Sequence, residues 1–226
     1  MNYQNIIQGR FIARPNRFIA IVEINGENAV CHVKNTGRCK ELLIPNAKVW
    51  LEKSQNPNRK TEYDLICVEK GNKIINMDSQ APNKIAEEWL PKSGIFSPEA
   101  VFQREVKNKD SRFDLLAIDH GKKTWIEVKG VTLEEGGIAR FPDAPTERGV
   151  KHVKHLTKIA KSGENSMILF VIQMKGIHHL EPNVLTHPAF GDALRIAAEN
   201  RVKILAVDCL VSPESIIADQ MIPVII

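Results

Sequence analysis

The sequence predicts an α/β (α+β) chain of two domains, a small β-barrel over residues 1–80 and a mixed α/β domain over residues 81–226. Three observations carry this. Short alternating apolar segments separated by turn residues fill the first part of the chain. Helical and strand periodicities then alternate to the end. The rhythm changes at SQAPNK, residues 79–84, where no long apolar segment runs through.

In the first part GRFIA, RFIAIVEI, NAVCHV, AKVWLEK, YDLICVEK and KIINM read as strands, with PN, NG, NTG and NPN between or beside them. Five or six short strands at this spacing suit a small closed barrel, for which the oligonucleotide-binding (OB) barrel is the obvious candidate. In the second part PNKIAEEWL reads as a short helix with Pro82 in or before its first turn. VFQREVKN, RFDLLAID and KTWIEVKGVTL follow as strands. Gly149, Val153, Leu156 and Ala160 recur at helical spacing and predict a helix over 146–162, started by Asp143 and Pro145 and stopped at Gly163. SMILFVIQ, VKILAVDC and a terminal MIPVII read as strands, and HPAFGDALRIAAENR as another amphipathic helix.

Composition narrows the class. Hydrophobic residues at 43% and charged residues at 26% exclude disorder as the main theme. No apolar run is long enough to cross a bilayer, and MNYQNIIQGRF has neither the basic start nor the apolar stretch of a secretory signal. Cys31, Cys39, Cys67 and Cys209 are scattered as thiols suit a reducing compartment, so a cytoplasmic protein with no membrane partner is expected. Cys31, His32 and Cys39 lack the second ligand pair that a zinc site needs.

Chemistry concentrates on two predicted strands. Side chains alternate along a strand, so Trp125, Glu127, Lys129 and Val131 share one face, and Asp114 shares one with Leu116 and Ile118. Each acid stands where the pattern calls for a hydrophobe, and a buried charge is costly unless paired or metal-bound. A hard cation, Mg²⁺ or Mn²⁺, would account for both: Asp114 and Glu127 as ligands, the Val128 carbonyl assisting, Lys129 orienting a water and offsetting charge on a phosphate. Glu88, beside Trp89, and Glu105, in QREVKN, are further candidate metal ligands. The competing reading of E-x-K on a strand is a solvated face with a surface ion pair.

A basic stretch follows. Residues 145–161 hold Arg148, Lys151, Lys154, Lys158 and Lys161 against the single acid Glu147, an excess equal to the net +4 of the whole chain. Helical spacing puts Glu147, Lys151, Lys154 and Lys158 along one polar stripe with Arg148, His152 and His155 beside it, and Arg140 approaches from the preceding loop. Such a face suits backbone phosphates, and a solvated helix is the alternative. His152 taken alone suits a hydrogen-bonded surface histidine. In the barrel Arg10, Arg14, Arg17, Arg38 and Lys40 would line a nucleic-acid groove. Phe11 and Phe18 would be stacking platforms or, the stronger reading, core residues. Asn35 to Arg38 form a tight turn.

SRFDLL, WIEVKGVTL and RFPDAPTERGVKHVKHL, together with the long N-terminal segment from RFIARPNRFIA to AKVWLEK, resemble the sugar fermentation stimulation protein A family over nearly the whole chain. The resemblance implies an OB-type barrel followed by a restriction-endonuclease-like domain similar to the PD-(D/E)xK nucleases. Their pattern falls on Asp114, Glu127 and Lys129, the acid of the opening helix on Glu88, the REVK-like segment on Glu105, and ERGxKH on Glu147, Arg148, Lys151 and His152. The first acid follows Phe113 rather than proline, a departure that removes no ligand. The family is described as DNA-binding and linked to the regulation of sugar use. The sequence therefore supports a Mg²⁺- or Mn²⁺-dependent phosphodiesterase acting on DNA or RNA. The alternative is a non-catalytic DNA-binding regulator of sugar fermentation genes. A sugar-binding regulator gains nothing from the residues.

Overall fold

A computed structural model describes residues 1–35 and 37–226. Six strands open the chain: β1 (Ile6–Asn16), β2 (Ile19–Ile24), β3 (Glu27–Val33), β4 (Lys48–Lys53), β5 (Tyr63–Lys70) and β6 (Lys73–Asn76). Their order is β3-β2-β1-β4-β5-β6, and β3 also pairs with β5, so β1 to β5 close on themselves. Closure removes the exposed edges that a short-stranded sheet would otherwise leave. Gly9 lets β1 cross β2 closely, since a Cβ there would stand 2.5 Å from Val22 Cγ1 and 2.9 Å from the Glu23 carbonyl. Asn16 Oδ1 accepts from the backbone N–H groups of Phe18 and Ile19 and turns the chain from β1 into β2. Phe11, Val22, Val33, Leu51 and Leu65 fill the barrel.

The second half runs α1 (Ala81–Trp89), a 3₁₀ turn over Leu90–Lys92, β7 (Val101–Asn108), β8 (Ser111–Asp119), β9 (Lys122–Val131), β10 (Leu133–Glu135), β11 (Ile138–Phe141), α2 (Glu147–Lys161), β12 (Asn165–Ile172), β13 (His179–Pro182), α3 (Pro188–Glu199), β14 (Lys203–Ser212) and β15 (Ser215–Ile222). The main sheet has the order β15-β14-β12-β9-β8-β7, with β12 parallel to β9 and β14 and the outer pairs antiparallel. α1 packs on β9, β12 and β15; α2 covers β9 and β12 and meets α3. The two faces bury separate apolar layers, Ile85, Leu90, Ile126 and Leu169 on the α1 side and Phe113, Leu156, Phe170 and Phe190 on the α2 side. Among the described residues no helix is long and apolar enough to cross a membrane.

The expected elements are present with two exceptions. The predicted terminal strand MIPVII is replaced by β15, earlier in the chain; Ser212 and Ser215 join β14 and β15 in a tight antiparallel pair. β10, β11 and β13 form a separate three-stranded sheet that the sequence reading lacks, because strands of three or four residues carry little periodic signal.

Polar clamps join the halves. Gln173 Nε2 donates to the Asn76 and Asp78 carbonyls and to Asn76 Oδ1. Glu134 of β10 is buried and accepts from Lys73 Nζ at 2.8 Å, Lys70 Nζ at 3.1 Å and the Gly137 N–H at 2.8 Å. Burial acts upward on its carboxyl, but the Lys73 bond, the Gly137 amide and Lys70 outweigh it and hold the pKa at about 2. A carboxyl lowered on folding stabilises fully above its ordinary value of 4.5, and that contribution is lost as pH falls toward about 2. Glu134→Gln is expected to lower stability at neutral pH by about 2 kcal/mol. It should also flatten the acid limb of the stability profile, measured by urea unfolding from pH 7 to pH 2.

Candidate metal and phosphate site

The pairing of β8 with β9 runs from Asp119↔Lys122 to Leu115↔Ile126 and stops there. Asp114 stands where the strands part. Its Oδ2 accepts from the Val128 N–H at 2.8 Å, and its Oδ1 accepts from Asn83 Nδ2 of α1 at 2.9 Å. Asp114 therefore turns toward α1 and the strand gap, not onto a face with Leu116 and Ile118 as simple alternation predicts. The side chain has taken an amide that a strand carbonyl would otherwise bind.

On β9 the alternation holds. Trp125 and Val131 pack on the α2 side, and Glu127 and Lys129 sit between them. Glu127 is 2% exposed. Its Oε1 accepts from Lys129 Nζ at 2.5 Å and from His152 Nδ1, whose proton lies on that nitrogen because a carboxylate can only accept. Its Oε2 is buried and has no hydrogen-bond partner among the described residues. Desolvation pushes the Glu127 carboxyl up, but the His152 and Lys129 contacts outweigh it and the net shift is downward. Burial, followed by the nearby Glu127 charge, pushes Asp114 up. Lys129 pairs with Glu127, the charges of both act on Asp114, and one Glu127 carboxylate oxygen is left without a counterpart among the described residues where burial makes that costly.

Gly130, next to Lys129, is covered closely: a Cβ would stand 2.6 Å from both Gln173 Oε1 and Pro82 Cγ. Pro82 lies in α1 one residue before Asn83, so the same close packing that excludes a side chain at Gly130 seats the partner of Asp114.

The remaining predicted residues divide. Glu88 is half-exposed and pairs with the Met1 ammonium at 2.8 Å; Glu105, in β7 with φ +51°, pairs with exposed Arg112. Neither joins Asp114 and Glu127. Among the described residues no three His, Cys, Asp or Glu side chains converge as a metal cage, Cys31, His32 and Cys39 included. The side chain of α1 that reaches the site is Asn83. Glu87, one turn along the same helix face, pairs with Arg104 at 2.6 Å. Glu88, beside Trp89, is the acid that the sequence suggests, whereas the i to i+4 step from Asn83 marks Glu87.

His152 is a correction. It is 5% exposed, against Phe113 and Glu127, and not part of the outer stripe. Arg148, Lys151, Lys154 and Lys158 are exposed. Lys151, Lys154 and Lys158 line a cleft of about 540 Å³ with Lys109 and Asp110 of the β7–β8 turn. Thr146 caps the helix, its side chain accepting from the Gly149 N–H at 3.1 Å. Arg140, on β11, is held by Glu135 and Glu181 at the edge of a small cleft that also includes Gly130 and Asn35.

In the barrel Arg14 is a clamp rather than a free cation. Its guanidinium donates to the carbonyls of Arg17, Asn35, Gly37 and Arg38. Arg17, Arg38, Arg10 and Lys40 are exposed. Phe11 is core and Phe18 is half-exposed. The turn from Asn35 to Arg38 includes Thr36, which lies outside the described residues.

The fold is therefore that of a two-domain protein, an OB-type barrel joined to a mixed α/β domain with a carboxylate–lysine centre. Comparison with known proteins agrees. The chain matches the model of the SfsA N-terminal OB domain over residues 12–77 and that of the sugar fermentation stimulation protein RE domain over residues 80–215. It is 56% identical over 226 residues to a sugar fermentation stimulation protein homolog of Clostridium beijerinckii, covering all of both chains. It is 53% identical over 224 residues to one of Desulfitobacterium hafniense, covering 99% of this chain and 98% of the other. A solved structure of Pyrococcus furiosus SfsA in complex with Ca²⁺ superposes with a TM-score of 0.88 at 29% identity, covering 100% of this chain and 98% of that one. The chain belongs to the SfsA family, the sugar fermentation stimulation proteins.

Proposed function

We propose that the chain binds nucleic acid and cleaves its phosphodiester backbone with the help of Mg²⁺ or Mn²⁺. The observation that carries this is Glu127 Oε2, a buried carboxylate oxygen without a partner among the described residues, beside Asp114 and Lys129. Two carboxylates without a third suit an ion that keeps several waters and takes its remaining oxygens from a phosphate. The Pyrococcus furiosus relative was solved with Ca²⁺, a hard cation of the same ligand preference. Asp114 and Glu127 would hold the ion, which when bound polarises a phosphoryl oxygen and activates water. Lys129 balances the charge of Glu127 in the resting site and stands where it can meet charge developing on the phosphate. Lys151 and Lys154 would hold flanking phosphates without reading sequence, and the OB barrel would add a second nucleic-acid surface.

A second reading, a non-catalytic DNA-binding regulator, is favoured by the lack of a third acidic ligand among the described residues. Labelled DNA and RNA, single- and double-stranded, incubated with Mg²⁺ or Mn²⁺ separate the two. Cleavage that stops on chelation and falls by about 10²- to 10³-fold in Lys129→Ala is the expected result. Tight binding without cleavage under either metal would leave the regulator.

A further inference from the structure

α2 presents two faces to two different tasks. Inward, His152 bonds Glu127; outward, its neighbours Lys151 and Lys154 line the basic cleft. Among the described residues the Glu127 carboxylate is held through Oε1 alone, by His152 and Lys129 together, so it cannot rotate without losing both bonds. That fixes the direction in which Oε2 points. The His152 ring is itself held by Phe113, with ring centroids 6.0 Å apart, and Phe113 immediately precedes Asp114. A small shift of α2 would therefore re-aim Oε2 and disturb the strand that carries the other carboxylate.

We infer that His152 is a positioning residue that links polyanion binding on the outer face of α2 to divalent-cation binding at Glu127. The inference rests on the metal-site reading above. Phosphates drawn to Lys151 and Lys154 settle the helix, His152 transmits its position to Glu127, and the cation site tightens. Linkage is reciprocal, so the cation tightens nucleic acid by the same factor.

The test is Mn²⁺ binding to the full chain, read by electron paramagnetic resonance of free Mn²⁺, with and without a short DNA duplex. In the unaltered protein the duplex should tighten Mn²⁺ by about five- to tenfold. His152→Leu should weaken Mn²⁺ roughly 10- to 100-fold and reduce the duplex effect to below about twofold. His152→Asn, whose amide N–H lies near the Nδ1 position, should recover most of both. His152→Gln places its amide near the Nε2 position instead, so it should lose the linkage while keeping a polar side chain, which covers the case in which the leucine variant does not fold. Folded His152→Leu or His152→Gln protein with unaltered Mn²⁺ affinity and linkage would overturn the inference. If Asp114→Ala abolishes Mn²⁺ binding while the His152 variants do not weaken it, only this inference fails. If the unaltered chain binds no Mn²⁺, the metal site fails with it.

Discussion

Asp114→Ala should abolish metal-dependent cleavage, with a loss of roughly a thousandfold or more, because it removes one of the two carboxylates proposed to hold the ion. The side chain has a structural duty as well. It accepts from the Val128 N–H and from Asn83, so the alanine variant also loses about 1–3 kcal/mol of stability. Activity must therefore be compared at a temperature where both proteins are folded, with thermal melts alongside. Asp114→Asn sharpens the test. An amide has one acceptor oxygen for two donors and carries no charge, so it keeps the shape while losing the ion. Cleavage that survives either change places the chemistry elsewhere in the molecule.

The second large effect lies on α2. Lys151→Ala combined with Lys154→Ala should weaken binding to duplex DNA by roughly thirtyfold near ~0.15 M salt. The slope of log affinity against log salt should fall by about two, as expected for two lost phosphate contacts. Both lysines are exposed on the outer side of a helix whose apolar residues face the sheet, so the fold should be little changed. Fluorescence anisotropy titrations over a salt series measure both quantities. An unchanged slope would assign the grip to other cations, with the barrel face around Arg17 and Arg38 the next to examine.

Much of this was legible in the sequence, and the failures have physical causes. Glu127 and Lys129 were readable because β9 is buried on both sides and alternates without a bulge, so a charge in it stands out. The face of Asp114 was not, because it depends on where two strands part and on an amide from a helix thirty-one residues away. His152 was legible and misread: Gly149, His152, Val153 and Leu156 follow the i, i+3, i+4, i+7 pattern of a buried stripe. Its polar ring drew it to the outer face instead. Arg14 shows the opposite limit. Nothing local distinguishes a guanidinium aimed at nucleic acid from one folded onto the carbonyls of Asn35 and Gly37, 21 and 23 residues on.

Gln173 has a consequence for how the two halves can be handled. One end of its amide grips the segment Asn76 to Asp78 that leaves the barrel; the other rests against Gly130 on the strand of Glu127 and Lys129. The stretch between the halves is thus no swivel. A cut there would leave Gln173, which braces the carboxylate strand, without the barrel carbonyls that hold its amide, so a severed second half is a poor stand-in for the intact protein in any assay of metal or nucleic acid.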